Sequence, residues 1–213
     1  MNDTPDRPDG PDRLDSIEAL EAHYGLPVQG ALDKELGHIS DPYRRFIERS
    51  PFVILATCGP EGLDCSPRGD PQGFVRVIDK RRVQFPDRRG NNRIDSLRNI
   101  VRDPRVSLLF MIPGVGETLR INGQAELLVD HDLLHSFAMG DKVPKCVVSV
   151  TVDRIYYQCQ KALHRSRLWD PEGFAQKGEV PTAGEMLKSV FGSDFDAESY
   201  DANYPEHRAK TIY

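Results

Sequence analysis

The sequence lacks most of the features by which an unfamiliar protein is quickly classified. No apolar run reaches the roughly 20 residues that a helix needs to span a bilayer, and the first residues have neither the basic start nor the apolar centre of a secretion signal. No Gly-Lys-Ser/Thr phosphate loop is present. Gly114 and Gly116 lack the third glycine of a dinucleotide-binding turn, so we interpret them as a turn between strands. We therefore predict a cytoplasmic protein without a standard nucleotide-binding motif.

Patterns for metal binding and for disulfides are also missing. The four cysteines are Cys58, Cys65, Cys146 and Cys159, and they include no Cys-x-x-Cys motif and no Cys/His pair at metal spacing. In a chain without an export signal, reduced thiols are the expected state. We predict no metal site, and we interpret the thiols as packing residues.

Composition sets the class of the protein. A chain of 213 residues with 38% hydrophobic content can bury one substantial core, which favours a single domain with terminal additions. The net charge of -5 disfavours a nucleic-acid partner, because proteins that bind nucleic acids usually carry a dominant basic face. An RNA-binding barrel is the weakest alternative, since the basic residues are not interleaved with aromatic ones.

The basic charge is concentrated in one stretch. From Arg76 to Arg105 there are ten Lys or Arg residues and four Asp, a balance of +6, so the rest of the chain stands at -11. One explanation is that these arginines are solvated or paired with carboxylates of an acidic protein. The other is that they bind an anion.

Residues 82–93 within this stretch suit a phosphate group. An apolar strand ending at Phe85 leads into a loop of arginines and asparagines, and a helix is predicted to follow with Ile94, Leu97 and Val101 on its apolar face. Arginines offer bidentate donors, asparagine amides add neutral donors, and the first turn of a helix presents free N–H groups with a favourable dipole. We predict a phosphate site here.

Two more polar clusters are candidates for the same site. In the segment from Ser66 to Asp70, Pro67 and Gly69 fix a bend from which Arg68 offers a donor and Asp70 an acceptor, although a salt-bridged turn is the alternative. In residues 161–171 the only tryptophan lies beside several cations, where it either covers a ring system or plugs the end of a barrel. If the three clusters converge, they form one site.

The predicted elements are mostly short strands. We expect residues 1–13 to be a disordered Asp/Pro-rich segment, 14–172 to form one domain with N-terminal helices, and 173–213 to be a helical extension with a loosely held acidic tail around 194–201. Helices are predicted after a cap at Asp15 or Ser16 and through His23, from about Leu32 with a break near residues 40–42, over 132–139, and after a cap at Thr182. Strands are predicted at 52–58, 63–66, 74–79, 82–85, 106–112, 118–129 and 147–152. Short turns and one helical crossover favour a mainly β antiparallel barrel with peripheral helices.

Taken in order, these motifs resemble a known family. The segments from Ser66 to Asp70, from Pro86 to Arg93 and from Cys159 to Pro171 are similar to the pyridoxamine 5'-phosphate oxidase-like flavoproteins, closest to a bacterial branch, over about residues 40–172. The resemblance implies a split β-barrel homodimer with FMN at the subunit interface. It also implies an oxidoreductase that moves a hydride or electron pair between a small substrate and oxygen or a nicotinamide.

The resemblance also implies the residues that hold the FMN. Asn91, Asn92 and Arg93, with Arg88, would bind the phosphate. Ser66, Arg68 and Asp70 would lie along the flavin edge or the ribityl chain. The remaining candidates are Thr118 and Arg120 on a later strand, and Arg165 and Trp169 from the partner subunit.

The sequence departs from the family in one informative place. The segment from Phe74 to Asp79 offers only one of the cations of the Arg-x-Val-Leu-Leu-Lys motif of true pyridoxamine phosphate oxidases, so vitamin B6 oxidation is not expected. We identify no catalytic acid or base. Two alternatives therefore stay open, a flavin-binding or flavin-storing module without turnover, and the same fold with haem or a deazaflavin.

Overall fold

The computed structural model describes residues 13–213, so the predicted disorder of residues 1–13 lies almost wholly outside the described range. The chain divides into a unit that ends at Glu35 and a unit from Leu36 to Tyr213. In the first unit, α1 (Ile17–Tyr24) and α2 (Gln29–Leu32) are short helices. The Ser16 hydroxyl accepts the Ala19 N–H at 3.0 Å, which confirms the predicted start of α1.

The second unit is built on one antiparallel sheet of seven strands in the order β2-β1-β5-β6-β7-β4-β3. The strands are β1 (Phe52–Gly59), β2 (Gly62–Gly69), β3 (Arg76–Asp79), β4 (Arg82–Pro86), β5 (Arg105–Met111), β6 (Thr118–Leu128) and β7 (Val147–Gln158). The helices are α3 (Asp41–Arg49), α4 (Asp95–Arg102), α5 (His131–Ser136), α6 (Lys161–Arg165), α7 (Ala183–Phe191) and α8 (Ala197–Thr211). The predicted mainly β antiparallel class with peripheral helices is confirmed.

The core lies on one face of this sheet. Residues of β1 alternate between buried and half-buried positions, and Val53 and Leu55 are fully buried, as the period of two requires. The largest side chains of this core include Phe85 and Phe110, and Ile47 of α3 packs into it. The predicted anchoring role of Phe85 at the end of β4 is thus confirmed, and the loop after β4 starts from a fixed point.

The sheet has two outer strands. Within the described residues, β2 pairs only with β1 and β3 pairs only with β4, so the order of strands does not close into a ring. The polar segments predicted to converge belong to opposite halves of this order, because one ends β2 and the other follows β4. Their approach therefore depends on contacts across the opening in the sheet.

Helix α4 buries only part of the face that was predicted, because Leu97 packs half-buried against the core but the other two apolar residues do not. Val101 is 75% exposed and Ile94 lies before the helix, whereas Ser96, Asn99 and Ile100 are buried. The buried positions include two polar residues, and the Asn99 amide donates to Thr57 Oγ1 at 3.1 Å. The apolar pattern was misleading because hydrogen bonds, and not only apolar contacts, hold this helix to the sheet.

Two other expectations are wrong in detail. The helix expected from about Leu32 ends at that residue, and the next helix starts only at Asp41, after an isolated bridge from Leu36 to Ile155. The tail expected to be loosely held, around residues 194–201, instead leads into α8 and forms its first turn, which begins at Ala197. That helix packs on α7, because the Asp201 carboxylate accepts the Gly184 N–H at 2.8 Å. None of the helices formed by residues 13–213 combines the length and apolar character needed to span a bilayer.

We expect Gly123→Ala to destabilise the second unit strongly. The register of β6 and β7 shifts at Gly123, and a β-carbon there would overlap the carbonyl oxygen of Thr151, which is part of the backbone of the paired strand β7 and cannot move aside. Thermal or urea unfolding should show a loss of about 3 kcal/mol. Gly37→Ala is the control, because its nearest neighbour is the Asp153 oxygen at 3.8 Å. Equal stability of the two variants would contradict the predicted steric overlap at Gly123.

The predicted packing role of the thiols is wrong for the two that are exposed, and these should react before the buried one. Cys65 and Cys159 are exposed, whereas Cys146 is buried, and burial together with the nearby Asp87 raises the pKa of Cys146 to about 11. Because the thiolate is the nucleophile, alkylation at about pH 8 should label Cys65 and Cys159 first and leave Cys146 unmodified in the folded protein. Peptide mass spectrometry over a time course measures this. Early labelling of Cys146 would contradict its burial.

Candidate functional site

Two ion pairs join the polar segment that ends β2 to the loop that follows β4. Arg68 Nη1 donates to Asp87 at 2.6 Å, and Arg88 Nε donates to Asp70 at 2.6 Å. All four side chains are mostly buried, and that of Asp70 is only 1% exposed. Arg68 and Asp70 thus form salt bridges with the other segment and not with each other. The first and second predicted clusters converge.

A cluster of hydroxyl groups ties α4 to the same place. Asp64 accepts hydrogen bonds from the Ser66 hydroxyl at 2.9 Å and from the Ser96 hydroxyl of the first turn of α4. Arg68 Nη2 donates to Ser96 at 3.3 Å. The start of α4, the end of β2 and the loop after β4 are therefore held as one unit.

The same cluster contains a buried donor without an acceptor. The Nε atom of Arg68 is buried and has no hydrogen-bond partner among the described residues. An unsatisfied buried donor costs about 1–3 kcal/mol, more for a charged group, so such atoms are rare unless a ligand or water satisfies them. The unsatisfied Nε of Arg68 is the strongest single indication of a ligand site at this cluster.

The loop before α4 has an unusual backbone. Asn92 and Ile94 have φ values of 60° and 53°, in the left-handed region that β-branched residues such as isoleucine seldom adopt. The Asn91 side chain accepts the Arg93 N–H at 3.1 Å. Helix α4 then begins without any side-chain cap, so the N–H groups of its first turn stay available. Strain of this kind is typical of binding loops.

These elements line a cleft of about 1250 Å³. Its charged residues include more cations than carboxylates, and most are paired, as Arg93 is with Asp95 at 2.9 Å. Arg89 and Lys145 have no ion-pair partner in the described part of the chain. The cations are Arg68, Arg88, Arg89, Arg93, Lys142 and Lys145, and the carboxylates are Asp64, Asp87, Asp95 and Asp141.

Most of the predicted binding residues line this cleft. Ser66, Arg68, Arg88, Asn91, Asn92 and Arg93 do so. Asp70 lies just outside it, and its second carboxylate oxygen accepts a hydrogen bond at 2.8 Å from the hydroxyl of Tyr213, which lines the cleft. This hydrogen bond and the nearby Asp70 charge raise the pKa of Tyr213.

Thr118 and Arg120 do not line the cleft. Both lie on β6, beside β7. Thr118 is buried with its hydroxyl 3.5 Å from the Gln158 oxygen, to which Arg120 also donates at 3.2 Å. Arg120 makes a second contact at 3.2 Å with the hydroxyl of Tyr156. These residues form a separate polar group within the subunit.

The third predicted cluster also stays apart from the cleft in this chain. Arg165 ends α6, and the indole of Trp169 donates to the Val115 carbonyl at 2.9 Å. Neither residue lines the cleft. The resemblance assigned both residues to the site of a partner subunit, and that assignment stays a prediction.

Several cleft residues were not predicted from the sequence. Asp64, Ser96, Lys145 and Tyr213 had no recognisable motif. Asp87 is the exception, because it directly precedes the predicted arginines. Its negative charge made it a natural partner for a cation, but nothing in the neighbouring sequence indicated that the cation would be Arg68.

The comparisons with known proteins identify the family. The family model described as pyridoxamine 5'-phosphate oxidase matches residues 39–159. No curated protein is significantly similar to this chain in sequence.

Solved structures show only distant similarity. HupZ of Group A Streptococcus is 19% identical with a TM-score of 0.47, and the match covers 57% of this chain and 94% of that one. General Stress Protein 26 of Bacillus anthracis is 15% identical with a TM-score of 0.43, over 53% and 88% of the two chains. An FMN-binding protein from Syntrophomonas wolfei is 12% identical with a TM-score of 0.42, over 66% and 91%. TM-scores this low carry no conclusion about function.

The family match and the sequence motifs agree with each other. The matched residues 39–159 contain all seven strands of the sheet and all the predicted residues that line the cleft. The family model covers more than half of the 213 residues, and the protein therefore belongs to the pyridoxamine 5'-phosphate oxidase family.

Proposed function

We propose that this protein is an FMN-dependent oxidoreductase that moves a hydride or electron pair between a small organic substrate and oxygen or a nicotinamide, in the cytoplasm. The observation that carries the proposal is the uncapped start of α4 with Asn91, Asn92 and Arg93 beside it in one cleft. Membership of an oxidase family supports the redox class. The absent family motif at Phe74–Asp79 disfavours vitamin B6 as the substrate.

The donors of this cleft fit the phosphate of FMN. The free N–H groups and the positive dipole end of α4 attract an anion, and Arg89 adds a cation that has no carboxylate partner in the described residues. The Asp64 carboxylate, which accepts from Ser66 and from Ser96 in the first turn of α4, repels an anion on that side of the helix start. The phosphate would therefore be held by Asn91–Arg93, and the cleft volume of about 1250 Å³ is ample for the rest of the molecule.

Arg68 fits a different part of the cofactor. Its unsatisfied Nε is a buried charged donor, and the ion pair with Asp87 fixes the direction of the guanidinium. Such a donor suits an acceptor of the flavin edge or the ribityl chain. When bound, FMN supplies the two-electron redox chemistry, while the protein binds it, orients it and sets the charge around it.

We further propose that the active unit is a homodimer. Arg165 and Trp169 lie apart from the cleft of their own subunit, and Arg165 has no ion pair in the described part of the chain. In the proposed dimer a second copy supplies both residues, and the tryptophan covers the ring system.

A non-catalytic flavin-binding module is the second candidate. The described residues that line the cleft include no histidine, the side chain most often used for proton transfer at neutral pH, and no cysteine. The same fact disfavours haem, whose iron is usually held by histidine or cysteine, although Tyr213 is a further type of ligand. The absorption spectrum separates oxidised flavin from haem and from a deazaflavin.

We expect the purified protein to show an oxidised flavin spectrum and to release FMN on heating. Arg93→Ala should weaken FMN binding on the order of tenfold or more, because a charge-assisted contact to the phosphate is lost. The melting temperature should hardly change, since the Arg93–Asp95 pair is exposed. Fluorescence titration with FMN measures the affinity.

Arg98→Ala is the matched control, because Arg98 is an exposed residue of α4 that does not line the cleft. It should bind FMN like the wild type. Unchanged FMN affinity of Arg93→Ala would contradict the proposal that Asn91–Arg93 hold the phosphate. A monomeric sedimentation coefficient of the flavin-loaded wild type would contradict the homodimer.

Turnover distinguishes the two candidate functions. An oxidoreductase that uses a nicotinamide should have its bound FMN reduced by NADH or NADPH under anaerobic conditions, with bleaching of the flavin absorbance, and reoxidised when air is admitted. Stopped-flow absorbance measures both rates, with free FMN as the control. Bleaching no faster than that of free FMN, with every donor tried, would favour the non-catalytic module.

A further inference from the structure

We propose that a second, smaller pocket next to the cleft binds an acidic group of the substrate, a carboxylate or a phosphate, between Arg76 and Arg88. The pocket has a volume of about 130 Å³, and Phe74, Phe137 and Met139 form part of its wall. That volume corresponds to about four waters at roughly 30 Å³ each, which suits one small anionic group. Arg88 lines both this pocket and the cleft, so the two are neighbours.

The charges of this pocket are unbalanced. Arg76 and Arg88 face one carboxylate, that of Asp70. One oxygen of Asp70 accepts from Arg88 at 2.6 Å, and the other accepts from the Tyr213 hydroxyl at 2.8 Å. Arg76 has no carboxylate partner among the described residues, so one positive charge of the pocket is uncompensated.

Both guanidinium groups are fixed and still have donors to offer. Arg76 donates to the Ser136 hydroxyl at 2.9 Å and to the Ser136 carbonyl at 2.6 Å, and it stacks 3.7 Å from the centroid of the Phe137 ring. Its Nε has no partner in the described residues. Arg88 uses Nε and Nη1, the latter for the Phe137 carbonyl at 2.7 Å, and its Nη2 stays available. Preorganised donors of this kind lose little entropy on binding.

The two cations also repel each other. Burial and the nearby Arg88 lower the pKa of Arg76. An anion placed between them would relieve this repulsion and satisfy the open donors. The identification of the anion as part of the substrate rests on the proposed function, because it assumes that chemistry takes place in the neighbouring cleft. The binding of the anion itself does not.

The test is a thermal-unfolding titration of the full-length protein with sodium acetate and with inorganic phosphate, each against sodium chloride at equal ionic strength. Both titrations are made on protein saturated with FMN, so that phosphate does not compete for the main cleft, and the acetate titration is repeated without FMN. A ligand that binds only the folded state raises the melting temperature as its concentration rises. Stronger stabilisation by acetate identifies a carboxylate group, and stronger stabilisation by phosphate identifies a phosphate group.

Arg76→Gln should weaken the binding of whichever anion stabilises the wild type more by about tenfold, since a charge-assisted contact is lost. Arg76→Lys keeps the charge without the fork and should weaken it less, and this variant decides the question if Arg76→Gln does not fold. Arg82→Gln is the control, because Arg82 is an exposed arginine of β4 that lines neither pocket. No stabilisation of the wild type beyond that of chloride, or equal stabilisation of wild type and Arg76 variants, would overturn the proposal. A failed flavin proposal is recognised separately, by the absence of flavin absorbance.

Discussion

The pair of salt bridges that crosses the opening of the sheet is the constraint on which the candidate site depends. Strand β2 and the loop after β4 are far apart in the order of strands, and Arg68–Asp87 and Arg88–Asp70 bring them together. Because these side chains are mostly buried, the attraction is little screened by salt, and removal of one partner leaves a buried charge at a cost of about 3–5 kcal/mol. The two arginines are thus structural links that still have donors without a partner among the described residues, Nε of Arg68 and Nη2 of Arg88.

Helix α4 is held so that the N–H groups of its first turn face the cleft. Its buried face is partly polar, with Asn99 bonded to Thr57 and Ser96 bonded to Asp64, so the helix is fixed against β1 and β2 by directional bonds. The left-handed Ile94 before it costs about 1–2 kcal/mol, which the surrounding contacts must offset. Because of this left-handed residue the chain turns sharply, and the first turn of the helix faces the cleft without a side-chain cap. A capped helix would have satisfied its own N–H groups.

The sequence was sufficient to predict most of the strands, because alternating apolar residues and turn residues are local signals. Its motifs were also sufficient to predict the family. It also indicated that the segment from Ser66 to Asp70 and the loop before α4 were related to one site. It did not reveal which residues pair, since Arg68 on β2 and Asp87 in the loop after β4 are 19 positions apart and any nearby carboxylate would have matched. Tyr213 was missed for the same reason. The predicted face of α4 was right only for Leu97, because periodicity counts apolar residues and cannot recognise a serine or asparagine buried by its hydrogen bonds.

The hydrogen bond between Tyr213 and Asp70 has a consequence for the order of folding. It joins residues separated by 143 positions, whereas the β1–β2 hairpin that carries Asp70 closes locally through the turn from Gly59 to Gly62. Loop-closure entropy makes such a distant contact slow to form, so the strands should fold before the wall at Tyr213 is in place. During this interval the cleft is open on that side. A cofactor present while the chain folds therefore meets a wider entrance than one offered to the finished protein.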